Sequence, residues 1–283
     1  MRIAVVGARG QLGAAIVQEF SAAHDVQAFG HADLDVTDDG AVSKTMAAVG
    51  PEAIVNCVAY NDVDGSEDHP VDALNINAFA VRALARAAAA HDAAFVHYST
   101  DFVFDGAASQ PYSEVDPPNP RSVYAASKLI GEWFAADVPR AYVLRVESLF
   151  GAVRNAPRPK GSVAMILDGL RAGREVRVFE DRTVSPTYIV DAARATRVLL
   201  ERDAPGGLYH CVNSGQCTWL ELARELARVA GLEPHLVPVR LDESKRRAAR
   251  PKYCALANHK LAGAGFAMPA WQDALARYVN ADL

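Results

Sequence analysis

Tyr124 and Lys128 stand four positions apart in the segment Ser122-Val-Tyr-Ala-Ala-Ser-Lys128. On a helix this spacing puts a phenol and an ammonium on one face, a turn apart. The ammonium then holds the phenol ready to pass a proton, which is what a protein must supply when a carbonyl receives hydride. Upstream, the turn Gly7-Ala-Arg-Gly-Gln-Leu-Gly13 closes the apolar run Arg2-Ile-Ala-Val-Val6. It opens an amphipathic stretch with Leu12, Ile16, Val17 and Phe20 at helical spacing. Strand, glycine turn and helix in that order aim helix N–H groups at a phosphate. Neither feature decides alone. A Tyr-x-x-x-Lys pair also occurs on surface helices with a solvated lysine, and the glycines, spaced G-x-x-G-x-x-G, also suit a tight turn without ligand. Together they predict hydride transfer between a nicotinamide and a carbonyl.

The elements that must position these residues alternate. Apolar strand patterns at 26–29, 53–58, 94–99 and 141–145 are separated by helical patterns at 41–49, 73–91 and 122–136. Such alternation predicts a parallel sheet with right-handed crossovers, whose ligands sit beyond the carboxyl ends of the strands. Gly7, the triplet Ala59-Tyr60-Asn61 and the triplet Ser99-Thr100-Asp101 all follow such ends. The proline-rich stretch 106–121 reads as a loop over the site, with Ser122 as the N-cap of the Tyr124 helix. Beyond Gly151 the alternation loosens, and 154–161 reads as an irregular loop. The expected fold is α/β: a Rossmann-type doubly wound parallel sheet, with residues 1–150 as the dinucleotide-binding domain. Residues 151–283 form mainly a smaller substrate-binding lobe interleaved with the first.

Composition sets the remaining bounds. The chain has 283 residues, 51% of them hydrophobic, enough for a sizeable core. Its mean hydropathy is near zero, and no apolar run approaches membrane-spanning length. A formal charge of −5 gives no basic field for nucleic acid. Cys57, Cys211, Cys217 and Cys254 form no C-x-x-C pair and read as reduced thiols of a cytoplasmic protein, with Cys57 buried in its strand. His210 beside Cys211 lacks a second ligand pair, so no metal is expected.

The chain resembles the dTDP-4-dehydrorhamnose reductase family of extended short-chain dehydrogenases/reductases, nearly end to end. The resemblance rests on Gly10-Gln-Leu-Gly13, Ser99-Thr-Asp-Phe-Val-Phe-Asp-Gly106, Pro111-Tyr-Ser-Glu-Val-Asp116, Tyr124-Ala-Ala-Ser-Lys-Leu-Ile-Gly-Glu132, Leu144-Arg145, Val184-Ser-Pro-Thr-Tyr188, Gly207-Leu-Tyr-His210 and Arg250-Pro251. Dehydratases of the same fold carry a Thr-Asp-Glu pattern, and Phe102 stands at that Glu position. The resemblance implies NADPH- or NADH-dependent reduction of the 4-keto group of a nucleotide-activated deoxysugar, dTDP-linked, in cell-surface polysaccharide biosynthesis such as dTDP-rhamnose formation. A homodimer is allowed. An epimerase, or a non-catalytic NADP-binding regulatory subunit, is the alternative.

By the same resemblance, Tyr124 is the general acid, Lys128 its partner and a ribose ligand, and Thr100 the hydrogen-bond donor to the substrate oxygen. Cofactor contacts fall on Gly7, Arg9, Gly10, Gln11, Leu12, Gly13, Asp35, Val36, Ala59, Tyr60 and Asn61, together with Tyr124 and Lys128. Substrate contacts fall on Thr100, Asp101, Phe102, Val103, Ser148 and Arg250. Asp101 has local backbone capping as its alternative role, and Arg250 an ion pair between lobes. Two departures bear on specificity. Ser148 stands where the family carries a substrate-facing aromatic residue, and the following segment 152–161 also differs. At the end of the second strand Gly30-His31 replaces the acid that would bind an adenosine 2′-hydroxyl, while Arg9 is placed to meet a 2′-phosphate. NADPH is therefore favoured, with NADH allowed.

Overall fold

The computed structural model describes residues 1–153, 161–243 and 246–281. Six strands form one parallel sheet: β1 (Arg2–Val6), β2 (Asp25–Phe29), β3 (Ala53–Asn56), β4 (Ala94–Thr100), β5 (Ala141–Val146) and β6 (Gly207–His210). Their spatial order is β6-β5-β4-β3-β1-β2, and every neighbouring pair is parallel. After β2 the chain crosses back past β1 to lay down β3. The crevice between the carboxyl ends of β1 and β3 is thus the topological switch point.

Alternate strand residues feed opposite faces. Ile3, Val5, Val55, Val96 and Leu144 pack beneath Leu12, Ile16 and Phe20 of helix α1 (Gln11–Phe20). Ala4, Val6, Ile54, Phe95 and Val143 face Val42 and Met46 of α2 (Asp39–Val49) and Val81, Leu84 and Ala88 of α3 (Ala80–Ala90). On this second face also lies α4 (Val123–Ala136), whose N-cap Ser122 accepts from the Ala125 N–H at 3.2 Å.

The helical pattern at 73–91 is not one α-helix. A short helix, Pro70–Leu74, passes through a π-helical turn, Asn75–Phe79, before α3 begins. The turn pushes the Asn77 carbonyl toward α4, where Gly131 has no Cβ to collide with it. The buried Asn77 side chain then joins three segments. Its Oδ1 accepts from Tyr60 N at 2.8 Å, and its Nδ2 donates to Tyr60 O at 3.2 Å and Ser127 Oγ at 3.0 Å. The loop after β3 is thereby fixed against the helix carrying Tyr124 and Lys128.

The second half builds a smaller core from α5 (Ser162–Arg171), α7 (Trp219–Ala230) and α8 (Trp271–Val279) around Val176, Val178 and Val184. Thr218 and Glu221 form a capping box at the start of α7. The halves are not separable at residue 150. The sheet takes β6 from beyond that point, and α6 (Ile189–Glu201) packs with α1 on one face of it.

Candidate active site

A cleft of about 560 Å³ opens where the switch point meets the second lobe. Gly10, Gln11 and Leu12 supply one wall, Cys57, Val58, Ala59 and Asn61 the next, and Ser99 to Phe102 the floor with Tyr124 and Lys128. Ser148, Leu149, Ser162, Val163, Arg182 and Trp219 close the far side.

The glycine turn is built for close approach. Gly7 has φ +80, and a Cβ on it would meet the Cys57 carbonyl carbon at 2.9 Å. A Cβ on Gly13 would strike the Gly7 carbonyl, so α1 packs directly on the turn. The N-cap of α1, Gly10, offers no side-chain cap, and the first turn holds no acid. The free N–H groups of that turn suit a pyrophosphate.

Arg9 lies across Gly30. A Cβ there would meet Arg9 Cδ and Nε at 2.7 Å, so the absent side chain makes the room. An acid stands three residues past Gly30, engaged with the turn itself. Asp33 Oδ2 accepts from Gly30 N at 2.8 Å and pairs with Arg9 Nη2 at 3.3 Å. Asp35 accepts from both Thr37 N and Thr37 Oγ1, and Val36 is buried. Gly7, Arg9, Gly13, Asp35, Val36 and Tyr60 do not line the cleft.

Tyr124 and Lys128 are both buried at the floor. The Tyr124 ring meets Phe102 edge-on, 5.7 Å between centroids. Burial, reinforced by the Asp101 carboxylate, pushes the phenol above its ordinary value, while the Thr100 hydroxyl pulls the other way. Burial lowers Lys128 to about 8 against the opposing charge of Glu132. Lys128 Nζ donates to Tyr98 O at 2.6 Å, so its first partner is the β4 backbone rather than the phenol. Glu132, one turn further on α4, takes two hydrogen bonds from Arg145 of β5, each 2.8 Å, and a third from Ser99 Oγ at 2.5 Å. This buried pair locks α4 to the strands beneath the site.

Several expectations are corrected. Val103 does not reach the cleft: it is fully buried against Phe104, Tyr112 and Leu129. Of its two expected roles Arg250 shows the ion pair, with Asp64 Oδ1 at 3.0 Å, and it stands off the lining although its guanidinium is 5.9 Å from the Phe102 ring. The segment 106–121 packs through Tyr112 against Phe104 and bridges to Leu256, and lines none of the cleft. Cys57 lies past the end of β3 and is half-buried at the cleft wall, not sealed in the strand. His210 is structural: burial drives it down to about 3, and its Nδ1 meets Ala257 O at 3.1 Å. The irregular stretch 154–160 lies outside the described residues. Sequence reasoning missed Arg182, Trp219 and Glu147. Arg182 precedes Val184-Ser-Pro-Thr-Tyr188 and Trp219 opens a plainly amphipathic helix, and nothing local marks either as facing the first lobe; Glu147 follows β5, and nothing local marks it as meeting Ser185 of the second lobe.

A doubly wound parallel sheet, its switch point beside a buried Tyr-Lys pair, is the arrangement of the short-chain dehydrogenases/reductases in their extended form. Within that class the chain belongs to the family described as RmlD substrate binding domain, whose model matches residues 1–283. It is 35% identical to the dTDP-4-dehydrorhamnose reductase of Mycobacterium tuberculosis, over 97% of this chain and 91% of the relative. It is 31% identical to the spore coat polysaccharide biosynthesis protein SpsK of Bacillus subtilis, over 99% of this chain and 97% of the relative. A crystal structure of dTDP-4-dehydrorhamnose reductase from Bacillus anthracis in complex with NADP superposes with a TM-score of 0.91 at 32% identity, covering 98% of each chain.

Proposed function

We propose that this protein reduces the 4-keto group of a dTDP-linked deoxysugar with NADPH, with NADH as the weaker donor. The observation that carries the reading is the convergence of Thr100, Tyr124 and Lys128 on one cleft floor, facing an uncapped helix N-terminus across the switch point. NADPH would lie with its pyrophosphate on the Gly10–Leu12 backbone, its ribose near Lys128 and its 2′-phosphate toward Arg9; when bound, it supplies the hydride. The chain's residues do the rest. Thr100 directs its hydroxyl at the substrate oxygen, Tyr124 donates the proton, and Lys128 brings positive charge to the phenolate. The buried floor excludes water and strengthens each of these interactions. The reaction belongs in the cytoplasm, where nucleotide sugars are made; among the described residues no helix is long and apolar enough to cross a membrane.

The test follows NADPH oxidation against dTDP-, GDP- and UDP-linked 4-keto-6-deoxysugars. Turnover with a dTDP-sugar supports the reading. Turnover confined to another nucleotide, or none with any of the panel, overturns it.

A further inference from the structure

Behind Thr100 lies a buried group that the proposed reaction does not use. Ligand atoms of Asp101, Glu147 and Cys254 all fall within 4.8 Å of one another, each residue buried. Asp101 Oδ1 accepts from the Thr100 hydroxyl at 2.9 Å, and Thr100 shares the cleft floor with Tyr124. Glu147 follows β5 and is tied to the second lobe, its Oε2 accepting from Ser185 N at 2.6 Å. The remaining oxygens, Asp101 Oδ2 and Glu147 Oε1, have no hydrogen-bond partner although both side chains are 98% buried (2% exposed).

The cation at this cluster is Arg182, with Nη2 3.9 Å from Asp101 Oδ2 and 3.6 Å from Cys254 Sγ. A guanidinium so placed opposes a metal ion among the same atoms. The other groups facing the pair are Cys217, Tyr253 and Tyr124. All three are neutral at pH 7, so among the described residues two carboxyls share one positive charge. Two carboxylates this close and this dry do not both ionise.

Resting on the proposed reduction, the geometry points to Asp101 and Glu147 as a pair that shares one proton and returns it through Thr100 to Tyr124 after each turnover. Burial raises Asp101, and burial with the Asp101 charge raises Glu147, both in keeping with a retained proton. The step balances. Tyr124 gives its phenolic proton to the oxygen of the reduced ketone, the Thr100 hydroxyl proton passes to the phenolate, and the Asp101 carboxyl proton passes to Thr100 Oγ1. The pair, now doubly negative beside Arg182, regains one proton from water through Asp101, which lines the cleft. Asp101 acts in the relay; Glu147, outside the lining, is a positioning residue that keeps the proton on the pair.

Infrared spectroscopy of the full-length protein at pH 7 reads the proton directly. The wild type should show the carbonyl band of a buried protonated carboxyl, and Glu147→Gln and Asp101→Asn should each lose it, because the surviving acid then faces Arg182 alone. A wild type without the band overturns the shared proton, even if the variants fail to fold, as does a band that persists in Glu147→Gln. The pH profile reads the relay. Glu147→Gln should move the alkaline limb of kcat to lower pH by about one unit, a tenfold loss of proton affinity, with KM unchanged within about twofold. A band present with profiles unaltered in both variants overturns the return path. A wild type that turns over no ketosugar overturns the reduction and the relay with it, while the band still decides whether the proton is shared.

Discussion

At Tyr124 a single oxygen separates the proposed acid from phenylalanine. Tyr124→Phe should lower kcat about 100-fold or more, the usual scale for a lost general acid, while NADPH affinity measured by fluorescence titration stays within a few-fold. Survival of kcat within a few-fold would assign the proton to another group. Arg9 and Asp33 give a second test. Asp33 already pairs with Arg9, so a 2′-phosphate must compete with it. Arg9→Ala should weaken NADPH selectively, and Asp33→Asn should strengthen NADPH relative to NADH; equal losses for both cofactors in Arg9→Ala would show that the guanidinium does not read the phosphate. Ser148 stands at φ +46 on the cleft wall, at the position where the resemblance implies an aromatic side chain. Ser148→Trp should raise kcat/KM for dTDP-4-dehydrorhamnose over other ketosugars about ten- to hundredfold, the value of one apolar contact. A fall in that ratio would mean that Trp219, across the same cleft, already fills the space. Tyr124, Lys128 and Arg9 stood out in the sequence because the glycine turn and the Tyr-Lys pair are local patterns, whereas Asp33 did not, because its pairing with Arg9 depends on how the chain turns after β2. Arg182, Trp219 and Glu147 did not either, because their roles arise only when the second lobe folds back over the first.

Among the elements, α4 carries the most. It holds Tyr124 and Lys128 on one face, Glu132 against Arg145 beneath, and Gly131 against the π-helical turn. A Cβ at Gly131 would run into the Asn77 carbonyl and come within 3.3 Å of His97 Nε2. Gly131→Ala should therefore destabilise the fold by about 1–3 kcal/mol in urea denaturation, although alanine is the better helix former. A stabilised variant would show that the turn yields easily. The sequence announced this helix through its apolar spacing and its Ser122 cap. It did not announce the π-turn, because no residue type marks a single i→i+5 turn within an alanine-rich helical stretch.

Over the whole molecule, acid stability follows from histidines kept neutral. Burial lowers His210 from 6.5 to about 3 and His97 well below its ordinary value. Between those limits the unfolded chain binds a proton at His210 that the native state refuses, so stability must fall as pH drops from about 6.5 toward 3. His210→Gln should flatten the slope by about 1.4 kcal/mol per pH unit in that window, measured by urea unfolding at a series of pH values. An unchanged slope would mean that His210 takes up its proton while folded. Taking the difference between variant and wild type cancels the opposing contribution of Glu147, whose raised value favours the native state in acid.

The same global topology governs how the chain is made. Among the described residues β6 pairs only with β5, and it lies more than sixty residues further along the chain. During synthesis β5 leaves the ribosome with one edge bare, and its neighbour arrives only after α5 and α6 have been translated. At roughly 5–20 residues per second that interval lasts seconds, long beside the microseconds in which helices form. For that time the nascent protein displays an apolar strand with unpaired N–H and C=O groups, a template for pairing with another chain. The hazard in this architecture is therefore greatest before release, and slowing translation between residues 146 and 207 should increase aggregation more than slowing it after residue 210.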